Sequence, residues 1–224
     1  RTFDLDFGDA DNDGDLDLAV GNHAPNQVCW NNGDGTFDCA DAFGEFTTFD
    51  VEWGDMDGDS YLDLVVGNSM GHPNMVWFNN HDRTFITYTN FSYCSSPGSV
   101  CYVALGDVDC DDDLDIALGI RFLQDLIYLN DGDGTFPITH TTCTHRGWSW
   151  DLDFGDVDND GDLDLAVVGD GPDYVCINDG TGVFTETRWL TWREDGTRSV
   201  AFGDADGDGD LDIAIGGHYN NPIE

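Results

Sequence analysis

The chain has 224 residues, 40% of them apolar and 12% aromatic, enough to build a packed core and too much for wholesale disorder. Its 46 acidic residues against 7 basic ones give a formal net charge of -39. That balance excludes a nucleic-acid partner and an anionic membrane surface, because both need a basic face. No apolar run approaches the ~18 residues of a membrane span. The chain opens at Arg1 inside a strand-like pattern, which reads as a processed protein or a piece of a longer one.

In chain order, the alternation of Phe3, Leu5 and Phe7 predicts a strand. Gly8 follows, and then DADNDGDLD at residues 9–17. LDLAVGN predicts a buried strand, and VCWNNGDGTF (28–37) predicts a hairpin. The succession then repeats. The acidic stretch returns as DMDGDSYLD (55–63), DVDCDDDLD (107–115), DVDNDGDLD (156–164) and DADGDGDLD (204–212), at steps of 46, 52, 49 and 48 residues. Its flanks return too, as Phe49, Val51 and Trp53; Val103 and Leu105; Trp150, Leu152 and Phe154; and Val200 and Phe202. Further hairpins are expected at 75–85, 126–136 and 174–184. Each unit is strand, aspartate loop, strand, connection, strand, turn, strand. Four strands in about 48 residues make a propeller blade, which needs neighbours to bury its faces. The fold expected is therefore all-β, a propeller of about five four-stranded blades over residues 1–224, with repeats at 1–46, 47–98, 99–147, 148–195 and 196–224. The last blade is expected to be incomplete, because the chain reaches residue 224 before a fifth hairpin motif.

Carboxylates on every second residue of a tight loop can point oxygens at one centre. That suits a hard cation taking six to eight oxygens, which is calcium. Position 1 supplies Asp9, Asp55, Asp107, Asp156 and Asp204; position 3 supplies Asp11, Asp57, Asp109, Asp158 and Asp206. Position 5 supplies Asp13, Asp59, Asp111, Asp160 and Asp208. Position 7 offers the backbone carbonyl of Asp15, Tyr61, Asp113, Asp162 or Asp210, and position 9 returns the carboxylate of Asp17, Asp63, Asp115, Asp164 or Asp212. An EF-hand would need Glu at position 12, where Val20, Val66, Leu118, Val167 and Ile215 stand. Glycine at position 6 permits a left-handed turn; Ser60 and Asp112 replace it in the second and third loops, which are expected to bind most weakly. Five Ca²⁺ would move the formal charge from -39 to -29 and couple metal binding to folding.

The DxDxDGxxD loop, the FG or WG before it, the LDLAVGN strand and the NxGDGTF hairpin resemble the FG-GAP/VCBS repeat family. The resemblance covers essentially the whole chain. It implies the calcium-binding β-propeller seen in integrin α-subunits and in many secreted or surface proteins. It also implies a loop joining the first and second strands of a blade, with structural calcium opposite the usual ligand surface. Family propellers commonly have more blades than this chain supplies.

Cysteine usage favours an oxidising compartment, with seven residues and no CxxC pair. Cys29 with Cys39, and Cys94 with Cys101, are candidate bridges; the odd count leaves one thiol over. Asn90-Phe91-Ser92 is a glycosylation sequon. Three functions fit. The first is an extracellular, calcium-stiffened adhesive or structural module with a protein or carbohydrate ligand. Its candidate ligand loops are 21–27, 67–74, 119–125 and 169–173, beside link aromatics Tyr88, Tyr93, Trp148, Trp189 and Trp192, which ordinary blade packing explains equally well. The second is a filament or surface-assembly subunit whose incomplete last blade a neighbouring chain completes. The third, a polysaccharide-active enzyme, is disfavoured: there is no GxSxG elbow and no HxxxH spacing among the six histidines.

Overall fold

A computed structural model of the chain describes residues 1–93, 99–121, 123–146, 148–190 and 196–217. Every regular element among the described residues is a β-strand. β1 (Thr2–Gly8), β2 (Asp17–Asn22), β3 (Asn26–Asn31) and β4 (Phe37–Phe43) form one antiparallel sheet in chain order. β5 (Thr48–Gly54), β6 (Asp63–Asn68), β7 (Pro73–Phe78) and β8 (Thr87–Tyr93) form the second. β9 (Cys101–Gly106), β10 (Asp115–Ile120), β11 (Gln124–Leu129) and β12 (Ile138–Arg146) form the third. β13 (Trp148–Gly155), β14 (Asp164–Asp170), β15 (Tyr174–Asn178) and β16 (Phe184–Trp189) form the fourth, and β17 (Thr197–Gly203) with β18 (Asp212–Gly217) the fifth. This is the expected all-β propeller architecture of repeated blades, with two strands described in the last.

The chain divides into two compact units, residues 1–103 with 130–136, and residues 104–129 with 137–224. In the first unit, Ala10, Ala19 and Val28 of the first sheet bury against Val51, Leu64 and Val66 of the second. In the second unit, Ala104, Ala117 and Ile127 pack with Leu152, Leu165 and Val167, and Ala166, Val168 and Val175 pack with Val200. The middle strands of the fourth sheet are apolar on both faces because the third sheet covers one face and the fifth the other.

The glycine before each loop has a packing reason. A Cβ on Gly8 would stand 2.8 Å from the Trp53 ring, and one on Gly155 2.7 Å from the Phe202 ring. At Gly8, Gly106 and Gly155 the first strand of the following sheet thus presses an aromatic side chain, Trp53, Phe154 or Phe202, onto bare backbone. In the fifth sheet, which no other sheet follows among the described residues, a Cβ on Gly203 would meet nothing within 4 Å. The outer faces differ accordingly. Leu5 and Phe7 are more than half exposed, and Ala205 and Ala214 are exposed, whereas Ala10 and Ala19 at the equivalent positions are buried.

Cys29 and Cys39, paired across β3 and β4, form the expected disulfide. Cys101 is also disulfide-bonded, as is Cys176. Cys94 and the Cys143 side chain lie outside the described residues. The free thiol among the described residues is Cys110, in the third loop. The sequon residue Asn90 is exposed on β8.

Candidate metal centres

The five loops fold alike because their own carboxylates replace a backbone ladder. The position-1 aspartate accepts two backbone N–H groups, from positions 5 and 6. Asp9 accepts from Asp13 and Gly14, both at 3.0 Å, and Asp156 from Asp160 at 3.1 Å and Gly161 at 3.0 Å. Asp55, Asp107 and Asp204 do the same. The position-5 carboxylate accepts the N–H of position 7, as Asp13 does from Asp15 at 3.0 Å. These bonds turn the chain so tightly that position 6 lies in the left-handed region, at φ 93° for Gly14 and 99° for Gly161. Ser60 and Asp112 adopt it as well, at 72° and 73°. Position 4 is also left-handed, at Asn12, Gly58, Cys110, Asn159 and Gly207, and no periodicity argument anticipates that.

In the first four loops the position-9 aspartate is buried, and it acts as a hub. Asp63 accepts from Met56 N and Asn79 N, both at 2.9 Å, and Asp164 accepts from Val157 N at 3.1 Å and Asn178 N at 2.9 Å. Asp17 does likewise with Ala10 and Asn31. These bonds tie the first, second and fourth loops to the third strand of their own sheets or the residue after it. The hairpin asparagine then reaches back to an earlier loop. In the first unit Asn79 Nδ2 donates to Ala10 O at 2.7 Å and Asn130 Nδ2 to Met56 O at 3.0 Å; in the second Asn178 Nδ2 donates to Val108 O at 2.7 Å. The sequence shows these asparagines only as turn residues.

In every loop three carboxylates offer oxygens lying within 4.8 Å of one another. The trio is Asp9, Asp11 and Asp13 in the first loop. It is positions 1, 3 and 9 in the others: Asp55, Asp57 and Asp63; Asp107, Asp109 and Asp115; Asp156, Asp158 and Asp164; and Asp204, Asp206 and Asp212. These groups could hold a metal ion, and three oxygens test the fit. Asp57 Oδ1, Asp109 Oδ1 and Asp158 Oδ1 are buried with no hydrogen-bond partner. An unpartnered buried carboxylate oxygen is costly, and a cation at the trio would satisfy it.

The electrostatics agree. Burial first, and the neighbouring carboxylates second, raise the pKa of Asp57 and of Asp109. Burial pushes Asp63 up to about 7 against the two backbone donors that lower it. A bound divalent ion would reverse these shifts.

The side chains at positions 5 and 7 make further contacts. The position-5 residues Asp59, Asp111, Asp160 and Asp208 stand outside the close trios. Asp15 Oδ2 lies 2.6 Å from where Gly33 would carry a Cβ, and Asp162 Oδ2 2.5 Å from that of Gly180, so both position-7 side chains turn toward a hairpin. Asp210 accepts from Asn159 Nδ2 at 3.0 Å. Tyr61 stacks on His81, whose ring also pairs with Asp59. Basic side chains reach two loops: Arg83 pairs with Asp11 and lies 3.6 Å from Asp13, and Arg188 pairs with Asp158 at 2.9 Å. Of the link aromatics, Tyr88, Trp148 and Trp189 are exposed, while Trp192 and the Tyr93 side chain lie outside the described residues.

The fold has relatives among solved structures. An Agrocybe aegerita lectin, described as recognising non-reducing terminal N-acetylglucosamine, matches over 98% of this chain and 64% of its own, at 19% identity and TM-score 0.67. The V. cholerae biofilm matrix protein Bap1 matches over 94% and 34%, at 17% identity and TM-score 0.52. A Photorhabdus luminescens Tc holotoxin pore matches over 98% and 11%, at 17% identity and TM-score 0.52. The chain thus spans less than two thirds of each of these proteins, and the likeness shows the fold. No curated protein sequence matches it. The model of the FG-GAP-like repeat matches residues 9–66, 55–118, 123–167 and 156–215. With its loops, glycines and blades repeating in step with those matches, the chain belongs to the FG-GAP-like repeat family.

Proposed function

We propose that the chain is an extracellular calcium-binding β-propeller module with a structural or adhesive role and no catalytic one. The observation that carries the metal reading is the recurrence of a close carboxylate trio, always including positions 1 and 3, in all five loops. Calcium is favoured over magnesium because the donors are all oxygen and many come from the protein. Its ions would hold each loop's carboxylates together where bare charge would drive them apart. Disulfide bonding at Cys29–Cys39, Cys101 and Cys176 supports an oxidising, extracellular setting. The folds of a lectin and a biofilm matrix protein supply the analogy for carbohydrate or protein contact outside the cell.

A second reading, an assembly subunit, is favoured by the bare faces. Leu5, Phe7 and Leu16 are 54%, 57% and 54% exposed, where the equivalent Val51 is buried. A neighbouring chain or further repeats would cover them. Light scattering in calcium and then in excess chelator, with circular dichroism alongside, tests both readings. Folded monomers that unfold on chelation support the module, and polymers that dissolve on chelation support the assembly. A mass and fold indifferent to calcium would overturn both.

A further inference from the structure

We propose that a cleft in the first compact unit binds a neutral pyranose sugar. The proposal deepens the adhesive part of the reading above and rests on that part, not on the metal sites. The cleft has a volume of about 480 Å³, within the range of small-molecule sites. Phe43 and Met75 form a buried floor. Trp77 and Tyr88 line it with ring centroids 4.6 Å apart and planes at 48°, and Phe46 lines it too, stacked on His72 at 4.2 Å. Tyr88 is 52% exposed, so its ring is not consumed by packing between sheets.

Two polar groups complete the surface. Trp77 Nε1 is buried with no acceptor, and it lies 3.9 Å from where Gly44 would carry a Cβ. Buried indole N–H groups usually find a partner, and a ligand hydroxyl oxygen would provide one. Glu45 is exposed and, among the described residues, is the one charged side chain lining the cleft. Asn26 also lines it but is engaged elsewhere, by Asn22 N at 2.7 Å and Thr48 Oγ1 at 2.8 Å.

The chemistry selects the ligand. A net charge of -39 with Glu45 on the rim repels uronic acids, sulfated sugars and other anions. A quaternary ammonium group needs ring faces closed around a small cation, and this corner is open and larger than such a group fills. A pyranose presents an apolar C–H face to the rings, hydroxyl donors to Glu45 and a hydroxyl acceptor to Trp77.

The test uses the folded chain in saturating calcium. Methyl glucoside, methyl galactoside and N-acetylglucosamine are titrated by calorimetry, with glucuronate and choline as controls and saturation-transfer NMR to locate contacts. At least one neutral sugar is expected to bind, with affinity falling about tenfold in Tyr88→Ala. Trp77→Phe keeps the ring, removes the N–H, and is expected to weaken the same sugar. The proposal is overturned if no neutral sugar binds, if Tyr88→Ala leaves sugar affinity unchanged, or if choline binds in preference. A chelated sample separates the two readings. Absent sugar binding with calcium-dependent folding removes the cleft alone, and sugar binding that survives chelation removes the metal reading alone.

Discussion

Asp153 on β13 accepts the backbone N–H of Phe202 on β17 at 3.1 Å. Asp151 accepts Val200 N at 2.9 Å, and in the first unit Asp4 accepts Val51 N at 3.1 Å, Asp6 accepts Trp53 N at 2.9 Å and Asp50 accepts Val103 N at 2.7 Å. The first strand of each sheet is an edge strand, with N–H groups that no ladder satisfies. Carboxylates of the preceding sheet cap them. Part of the acidity therefore holds blade to blade rather than binding metal.

Asp153→Ala leaves the Phe202 N–H without its acceptor and is expected to cost about 1–3 kcal/mol of unfolding free energy. Asp153→Asn keeps an acceptor oxygen and is expected to cost less. Urea unfolding in calcium measures both. Equal effects of the two variants would show that the lost acceptor is not the cause.

Asp125 makes stability depend on pH. It is buried, accepts Ile120 N at 2.7 Å, and is contacted by the hydroxyls of Ser149 and Tyr174. Burial nevertheless pushes its carboxyl up to about 6 from 3.8. Because the folded value is the higher one, the native state binds more protons between about pH 4 and 6, and stability falls as pH rises through that window. Asn26 and Asn74 occupy the same place in the first two sheets and accept the corresponding N–H groups from Asn22 and Asn68. Asp125→Asn is expected to raise stability at neutral pH by about 1–3 kcal/mol and to flatten this window. Thermal melts at a series of pH values, compared with the parent chain, give the result.

The aspartate loops were legible because their spacing, glycine and flanking strands recur in register, and hydrophobic period set the strands around them. What stayed hidden follows from the same simplicity. Asp4 and Asp6 alternate with apolar residues and read as solvent-facing, since nothing local marks an N–H group 47 residues away. The second left-handed position escaped because it is filled by Asn, Gly or Cys without a common chemistry. Position 7 was expected to act through its carbonyl, and the turning of Asp15 and Asp162 toward Gly33 and Gly180 depends on a hairpin in another part of the sheet.

Backbone strain in the loops gives a third expectation. Ser60 and Asp112 hold φ values of 72° and 73° where the first loop has Gly14. A non-glycine residue there costs roughly 1 kcal/mol, less for Asp, and added chain entropy offsets part of the gain from glycine. Ser60→Gly should therefore raise the thermal midpoint by about 2 °C, and Asp112→Gly by less. Paired melts in calcium and in chelator also report whether the strained loops are the weaker binders.

Calcium stoichiometry tests the central claim most directly. Equilibrium dialysis against ⁴⁵Ca²⁺, followed by a thermal melt of the dialysed and the chelated protein, reads occupancy and stability together. The carboxylate trios predict as many as five ions per chain and a melting transition that falls or vanishes on chelation. No bound calcium, with a melt unchanged by chelator, would contradict the account.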